Sequence, residues 1–94
     1  MRLVQAAQLI EPVRRLCLRA CCNLPEDVAA ALSAAQSREE QGSAAKNVLD
    51  QLLENKHLAR EKNRPICQDT GMAVVFADIG RDAHIEGDLT AAVN

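Results

Sequence analysis

Aromatic side chains are almost absent from this sequence, which has no Trp, no Tyr and a single Phe, Phe76, among 94 residues. Proteins that bind single-stranded nucleic acids stack bases on aromatic side chains within a basic groove. The 11 basic and 13 acidic side chains give a net charge of −2, and neither sign forms a long run. The sequence therefore predicts no nucleic-acid partner, and a thin core built from Ala, Leu, Val and Ile.

Long apolar runs are missing as well. No stretch approaches the roughly 18 residues that a membrane span requires. The segment from Met1 to Ile10 is too short and too polar for the apolar region of a signal peptide. We therefore expect no membrane association and a cytoplasmic location, where the four cysteines stay reduced.

Paired cysteine motifs are also lacking. Cys17, Cys21 and Cys22 crowd into one predicted helix, with no Cys-x-x-Cys pair and no suitably spaced histidine. This argues against a zinc site or a thiol redox site. We expect these three cysteines to pack as small hydrophobic side chains. A solvated or structural role is the simpler interpretation for His57 and His84.

Helical periodicity dominates the first two thirds of the chain, which is long enough for one small domain. A first helix is predicted to start near Pro12, because proline is tolerated in the first turn. A second begins at Pro25 and fades before Gly42, and Ser43 can cap a third. Leu3 to Gln8 is either a short separate helical stretch or an irregular arm. The third helix has the clearest apolar face, formed by Ala45, Val48, Leu49, Leu52 and Leu53.

The pattern changes after residue 64. The segment from Met72 to Ile79 is short, apolar and partly β-branched, and it is bounded by Gly71 and Gly80. These features predict a buried strand. From Arg81 to Asp88 we expect a turn and a short extended or irregular stretch, and Leu89 to Asn94 can open another helix.

Together these elements predict an α+β fold. Residues 1–62 are expected to be helical, with about three helices, and residues 64–80 to form a connecting loop and a strand. Residues 81–94 would start the next segment. Because a lone strand exposes two unpaired edges, we expect it to belong to a larger, incomplete sheet. The 94 residues are accordingly predicted to be an N-terminal fragment.

The connection between the third helix and the predicted strand carries the chemistry. Its sequence, residues 64–71, is Arg-Pro-Ile-Cys-Gln-Asp-Thr-Gly. If this stretch is extended, Cys67 and Asp69 project to one side and Gln68 to the other, so a metal ligand and a proton-transfer group can face one pocket. Composition alone favours a polar connector with a half-buried cysteine, since isolated thiols usually pack as small hydrophobic side chains.

This motif, with an apolar strand, His84-Ile85 and then Gly87-Asp88-Leu89-Thr90 after it, resembles the signature region of the class I (iron–sulfur) fumarate hydratase and L(+)-tartrate dehydratase family. The likeness is closest to the alpha subunit of two-subunit members and covers nearly the whole chain. One departure is Cys21-Cys22, where the family has a bulkier, often aromatic side chain. The further similar segments are the Leu16-Cys17 helix, the Asn23-Leu24-Pro25 break, the Arg38-Glu39-Glu40 run and the Leu52-Leu53-Glu54-Asn55 helix.

The resemblance implies a [4Fe–4S] cluster held by three cysteines, with Cys67 as one ligand and the other two beyond Asn94. Three ligands leave one iron open to act as a Lewis acid on a substrate hydroxyl. The implied reaction is reversible dehydration of a 2-hydroxydicarboxylate, malate to fumarate or tartrate to oxaloacetate. Asp69 is implied as a catalytic and substrate-binding residue of the proton network, and Gln68 as a hydrogen-bond partner of a substrate carboxylate.

The resemblance also implies partners: a beta subunit or C-terminal domain, and homo-oligomerisation. The fragment alone would then be inactive. The alternative hypothesis is a non-enzymatic helical protein-interaction module, in which Ala-rich helix faces bind another protein and Cys67 is merely packed. The hydro-lyase requires two further cysteines beyond Asn94, whereas the module requires a stop codon there.

Overall fold

The structure, a computed structural model, describes residues 1–67 and 71–94 and confirms the α+β class. Its contacts divide the chain into two units, residues 1–18 with 72–94, and residues 19–71. In chain order the elements are β1 (Arg2–Gln5), a 3-10 turn (Ala6–Leu9), α1 (Ile10–Cys22), α2 (Glu26–Arg38), α3 (Ala44–Lys62), β2 (Ala83–Glu86) and α4 (Leu89–Val93).

The two strands pair in parallel in the first unit, with Arg2 opposite Ala83 and Gln5 opposite Glu86. The N–H of Arg2 donates to the carbonyl of Asp82 at 2.6 Å. At the other end of the pair, Nε2 of Gln5 donates to Oε2 of Glu86 at 2.7 Å, across 81 residues of sequence. These bonds join the beginning of the chain to its last quarter.

A glycine makes the turn between β2 and α4. Gly87 has a φ of +108°, which side-chain-bearing residues rarely adopt, and a Cβ there would lie 3.2 Å from the Cβ of Ala6. Ala6 is itself buried. Asp88 then caps α4, because its Oδ1 accepts a hydrogen bond from the N–H of Ala91 at 3.0 Å. The predicted turn, extended stretch and final helix are thus confirmed.

In the second unit, α2 and α3 are joined by a polar cluster of three side chains. Nε2 of Gln36 donates to Oδ1 of Asp50 at 2.6 Å. Nζ of Lys46 lies 3.4 Å from the carbonyl of Gln36 and 3.7 Å from Oδ1 of Asp50.

Within the described residues, no helix is both long and apolar enough to cross a membrane.

Where the structure describes the second unit, its buried apolar side chains are few and mostly small. Cys22 and Ala59 are each 3% exposed and Leu53 is 9% exposed. Cys22 is therefore packed as predicted, whereas Cys17 and Cys21 are half-buried. Small side chains remove little apolar area from water, so each contributes little stability.

The helices begin where the sequence has proline or a capping serine. Pro12 lies in the first turn of α1, Pro25 immediately precedes α2, and Ser43 caps α3 as predicted. For Leu3 to Gln8 a short separate helical stretch and an irregular arm both stood open; residues 6–8 lie in the 3-10 turn, a short helical stretch, and residues 3–5 lie in β1. The region predicted as helical, residues 1–62, therefore begins with a strand, because β1 pairs with β2 far along the chain.

The location predicted for the strand was also wrong. Residues 72–79 belong to neither strand, and their apolar side chains are exposed, with Met72 at 87% and Phe76 at 94%. A strand needs a neighbour to complete its backbone hydrogen bonds. In the described part of the chain, β1 and β2 pair with each other, and the apolar segment has no strand beside it.

Removing the cap of α3 should destabilise the second unit. Oγ of Ser43 accepts a hydrogen bond from the N–H of Lys46 at 3.1 Å. We expect Ser43→Ala to lower the free energy of unfolding by about 1 kcal/mol, measured by urea denaturation followed by circular dichroism. Ser33→Ala is the control, since Ser33 is exposed within α2 and alanine favours helix. Equal losses from both variants would contradict the capping role.

Candidate functional site

Helix α3 ends at a residue with a left-handed backbone conformation. Asn63 has φ 53° and ψ 49°, a conformation that asparagine tolerates better than most residues. The N–H groups of Asn63 and Arg64 both donate to the carbonyl of Ala59, that of Arg64 at 2.9 Å. These two hydrogen bonds satisfy a carbonyl in the last turn of α3 and end the helix.

Ile66 is then held by hydrogen bonds at both its N–H and its carbonyl. Its N–H donates to the carbonyl of Cys21, near the end of α1, at 2.9 Å. Its carbonyl accepts from Nδ2 of Asn55, on α3, at 2.8 Å. Cys67 follows directly and is exposed. Two helices thus hold the backbone from which the predicted ligand thiol projects.

The structure describes only part of the predicted site. Cys67 is described, whereas Gln68 and Asp69 lie outside the described residues. A shared pocket for Cys67 and Asp69 therefore stays a prediction. The two histidines are exposed, His57 on α3 and His84 on β2.

Cys67 fits the role of one ligand in a shared metal site. Thiolates are the ligands of iron–sulfur clusters, and an exposed thiol on a held backbone can be reached by a cluster. Among the described residues, no group of three or more His, Cys, Asp or Glu side chains could hold a metal ion by itself. If Cys67 is a cluster ligand, the further ligands have to come from outside the part of the chain that the structure describes.

Sequence reasoning missed two contributors to this site, the side chain of Asn55 and the carbonyl of Cys21. A backbone carbonyl leaves no trace in the sequence. The sequence does contain a weak signal for Asn55, because asparagine is a poor helix former and this one lies well inside α3. Such a residue often has a partner outside its own helix.

Comparisons with known proteins agree with the motif. The family model for fumarate hydratase (Fumerase) matches residues 10–94. A Methanocaldococcus jannaschii protein provisionally named L(+)-tartrate dehydratase subunit alpha is 39% identical over 75 residues, 80% of this chain and 26% of the relative. A Geobacillus stearothermophilus protein provisionally named fumarate hydratase class I is 38% identical over 65 residues, 69% of this chain and 13% of the relative. No solved structure matches the chain.

The matched residues include Cys67 and both groups that hold Ile66, the carbonyl of Cys21 and the side chain of Asn55. The chain belongs to the fumarate hydratase (Fumerase) family, as its motif predicted. It spans 26% and 13% of the lengths of the two relatives.

Proposed function

We propose that this chain is the Cys67-bearing part of a hydro-lyase that reversibly dehydrates a 2-hydroxydicarboxylate. The reaction would convert malate to fumarate or tartrate to oxaloacetate. Family membership and the names of both relatives support this class of reaction. The observation that carries the proposal is the exposed Cys67 thiol, which follows a residue held at both its N–H and its carbonyl.

The cofactor proposed for this site is a [4Fe–4S] cluster with Cys67 as one of three cysteine ligands. When bound, such a cluster supplies an iron without a cysteine ligand, which serves as a Lewis acid toward a substrate hydroxyl. The part of this chain is to offer one thiolate from a backbone that is already held. A held backbone has less conformational freedom to lose when the thiolate binds.

The proton and carboxylate chemistry is assigned to the two residues after Cys67. Removing water from malate or tartrate requires loss of a weakly acidic proton from carbon, so an acid/base group must lie beside the substrate. We assign Asp69 to this proton network and to substrate binding. Gln68 is assigned to donate a hydrogen bond to a substrate carboxylate. Both roles rest on the Cys-Gln-Asp-Thr-Gly motif.

The remaining parts of the enzyme are proposed to lie outside these 94 residues. They are the other two cluster cysteines, the rest of the substrate pocket, and a beta subunit or C-terminal domain, in a homo-oligomeric assembly. The M. jannaschii relative is named as an alpha subunit, which supports a beta partner. The 94 residues alone should therefore be inactive.

Anaerobic reconstitution tests this proposal. The longest reading frame that encodes this chain would be co-expressed with any adjacent beta-like frame and supplied with iron and sulfide. We expect a brown protein that dehydrates malate or tartrate, and parallel assays decide between these substrates. The 94-residue chain treated identically should show no turnover. A well-folded, colourless and inactive full assembly would contradict the hydro-lyase and favour the non-enzymatic interaction module.

A further inference from the structure

We propose that Asn55 is a positioning residue for Cys67, acting through the carbonyl of Ile66. This inference rests on the proposed function, because it assigns Asn55 the task of presenting a cluster ligand. Asn55 would touch neither the cluster nor the substrate. Its contribution is to set the direction in which the Cys67 thiol leaves the backbone.

The covalent geometry of the peptide bond connects the two residues. Nδ2 of Asn55 lies 2.8 Å from the oxygen of Ile66. That oxygen lies in the same rigid plane as the N and Cα atoms of Cys67, because peptide bonds are planar. A hydrogen bond to the oxygen therefore restrains the plane from which the Cys67 side chain departs.

A second anchor makes this restraint effective. The N–H of Ile66 donates to the carbonyl of Cys21 at 2.9 Å. Carbonyls in the last turn of a helix have no partner within the helix, so this one is available to the connection. The peptide planes before and after Ile66 are each held by a different helix, which limits rotation on both sides of the residue.

The chemistry of Asn55 fits a positioning role better than a stabilising one. Asparagine is a poorer helix former than alanine, so α3 gains nothing from it locally. Its bond reaches a carbonyl 11 residues further along the chain and is exposed to solvent. Exposed hydrogen bonds contribute little net stability because water can replace either partner. The direction of the bond is then its main consequence.

The test uses the full reconstituted protein with its partner and three variants. Asn55→Ala removes the amide, and Asn55→Asp keeps the shape but cannot donate to a carbonyl. Asn47→Ala is the matched control, because it removes an exposed asparagine from the same helix. For both Asn55 variants we expect cluster loss to a chelator to be about tenfold faster, and an altered electron paramagnetic resonance signal of the reduced cluster.

A cluster-independent readout accompanies these measurements. In the apo protein, hydrogen exchange of the peptide that contains Ile66 and Cys67 should be about three- to tenfold faster in the Asn55 variants. Asn47→Ala should match the parent protein in every readout. Unchanged exchange would overturn the proposal. Faster exchange with an unchanged cluster signal and lifetime would also overturn it, since Asn55 would then only brace the connection.

Cys67→Ser separates this inference from the proposed function. If Cys67→Ser loses the cluster while the Asn55 variants behave like Asn47→Ala, only the positioning role is overturned. If Cys67→Ser keeps the cluster, the proposed function fails and the positioning role with it. Loss of the cluster in Cys67→Ser, together with faster cluster loss in both Asn55 variants, supports both.

Discussion

Cys67→Ser is expected to abolish cluster retention and to lower hydro-lyase activity of the full assembly by more than about a hundredfold. Loss of a residue that only supports a metal ligand already costs about 10–100-fold, so loss of a ligand should cost more. The serine hydroxyl is similar in size to the thiol, but it is a poor ligand for this type of cluster, which is held by thiolates. Activity would be followed by malate and tartrate dehydration, and the cluster by its visible absorbance.

The control for this prediction is Cys17→Ser. Cys17 is a half-buried thiol on α1 that the motif does not include. Its serine variant should keep both the cluster and the activity. A Cys67→Ser protein that stays brown and active would contradict the ligand assignment. Equal losses in the two variants would instead indicate a general effect of cysteine replacement.

The location of the candidate ligand could be predicted because its signal is local. Eight consecutive residues carry the motif around Cys67, and no distant contact is needed to recognise it. The helix boundaries were local as well. Proline and serine favour a helix start through the residues of a single turn. This is why Pro12, Pro25 and Ser43 correctly indicated where the three helices begin.

The features that the sequence did not predict depend on contacts between residues that are distant in the sequence. β1 was missed because Gln5 and Glu86, which pair across the sheet, are 81 residues apart. The hold on Ile66 was missed because it joins residues from two helices. Contacts of this kind depend on the folded arrangement and leave no periodicity in the sequence.

The apolar segment 72–79 shows how a sequence can indicate burial without supplying the means for it. Short length, β-branching and flanking glycines all predicted a strand, yet Val74 is 70% exposed and Ile79 is 52% exposed. Backbone hydrogen bonds of a strand come from its neighbours, and propensity cannot replace them. Because these side chains are exposed, the apolar area removed from water lies elsewhere, and the buried Leu53 and Ala59 are both on α3.

Leu53→Ala is expected to cause the largest loss of stability among single truncations in the second unit. Leu53 is 9% exposed, and the other buried apolar side chains among the described residues of this unit are the smaller Cys22 and Ala59. Truncating a buried leucine removes transfer free energy and leaves a cavity, which costs about 2–5 kcal/mol. A unit with so few buried side chains can partly collapse around the gap, so we expect the lower end, about 2–3 kcal/mol.

Leu52→Ala is the matched control, because Leu52 is the preceding residue of α3 and is 44% exposed. It should cost less than about 1 kcal/mol, since much of its side chain already contacts water. Urea denaturation followed by circular dichroism would measure both changes, with the shift in midpoint compared between the variants. Equal destabilisation would mean that Leu53 is not the centre of this core. A loss of about 2–3 kcal/mol from Leu53→Ala alone would be a large share of the free energy of unfolding, which is roughly 5–15 kcal/mol for native proteins.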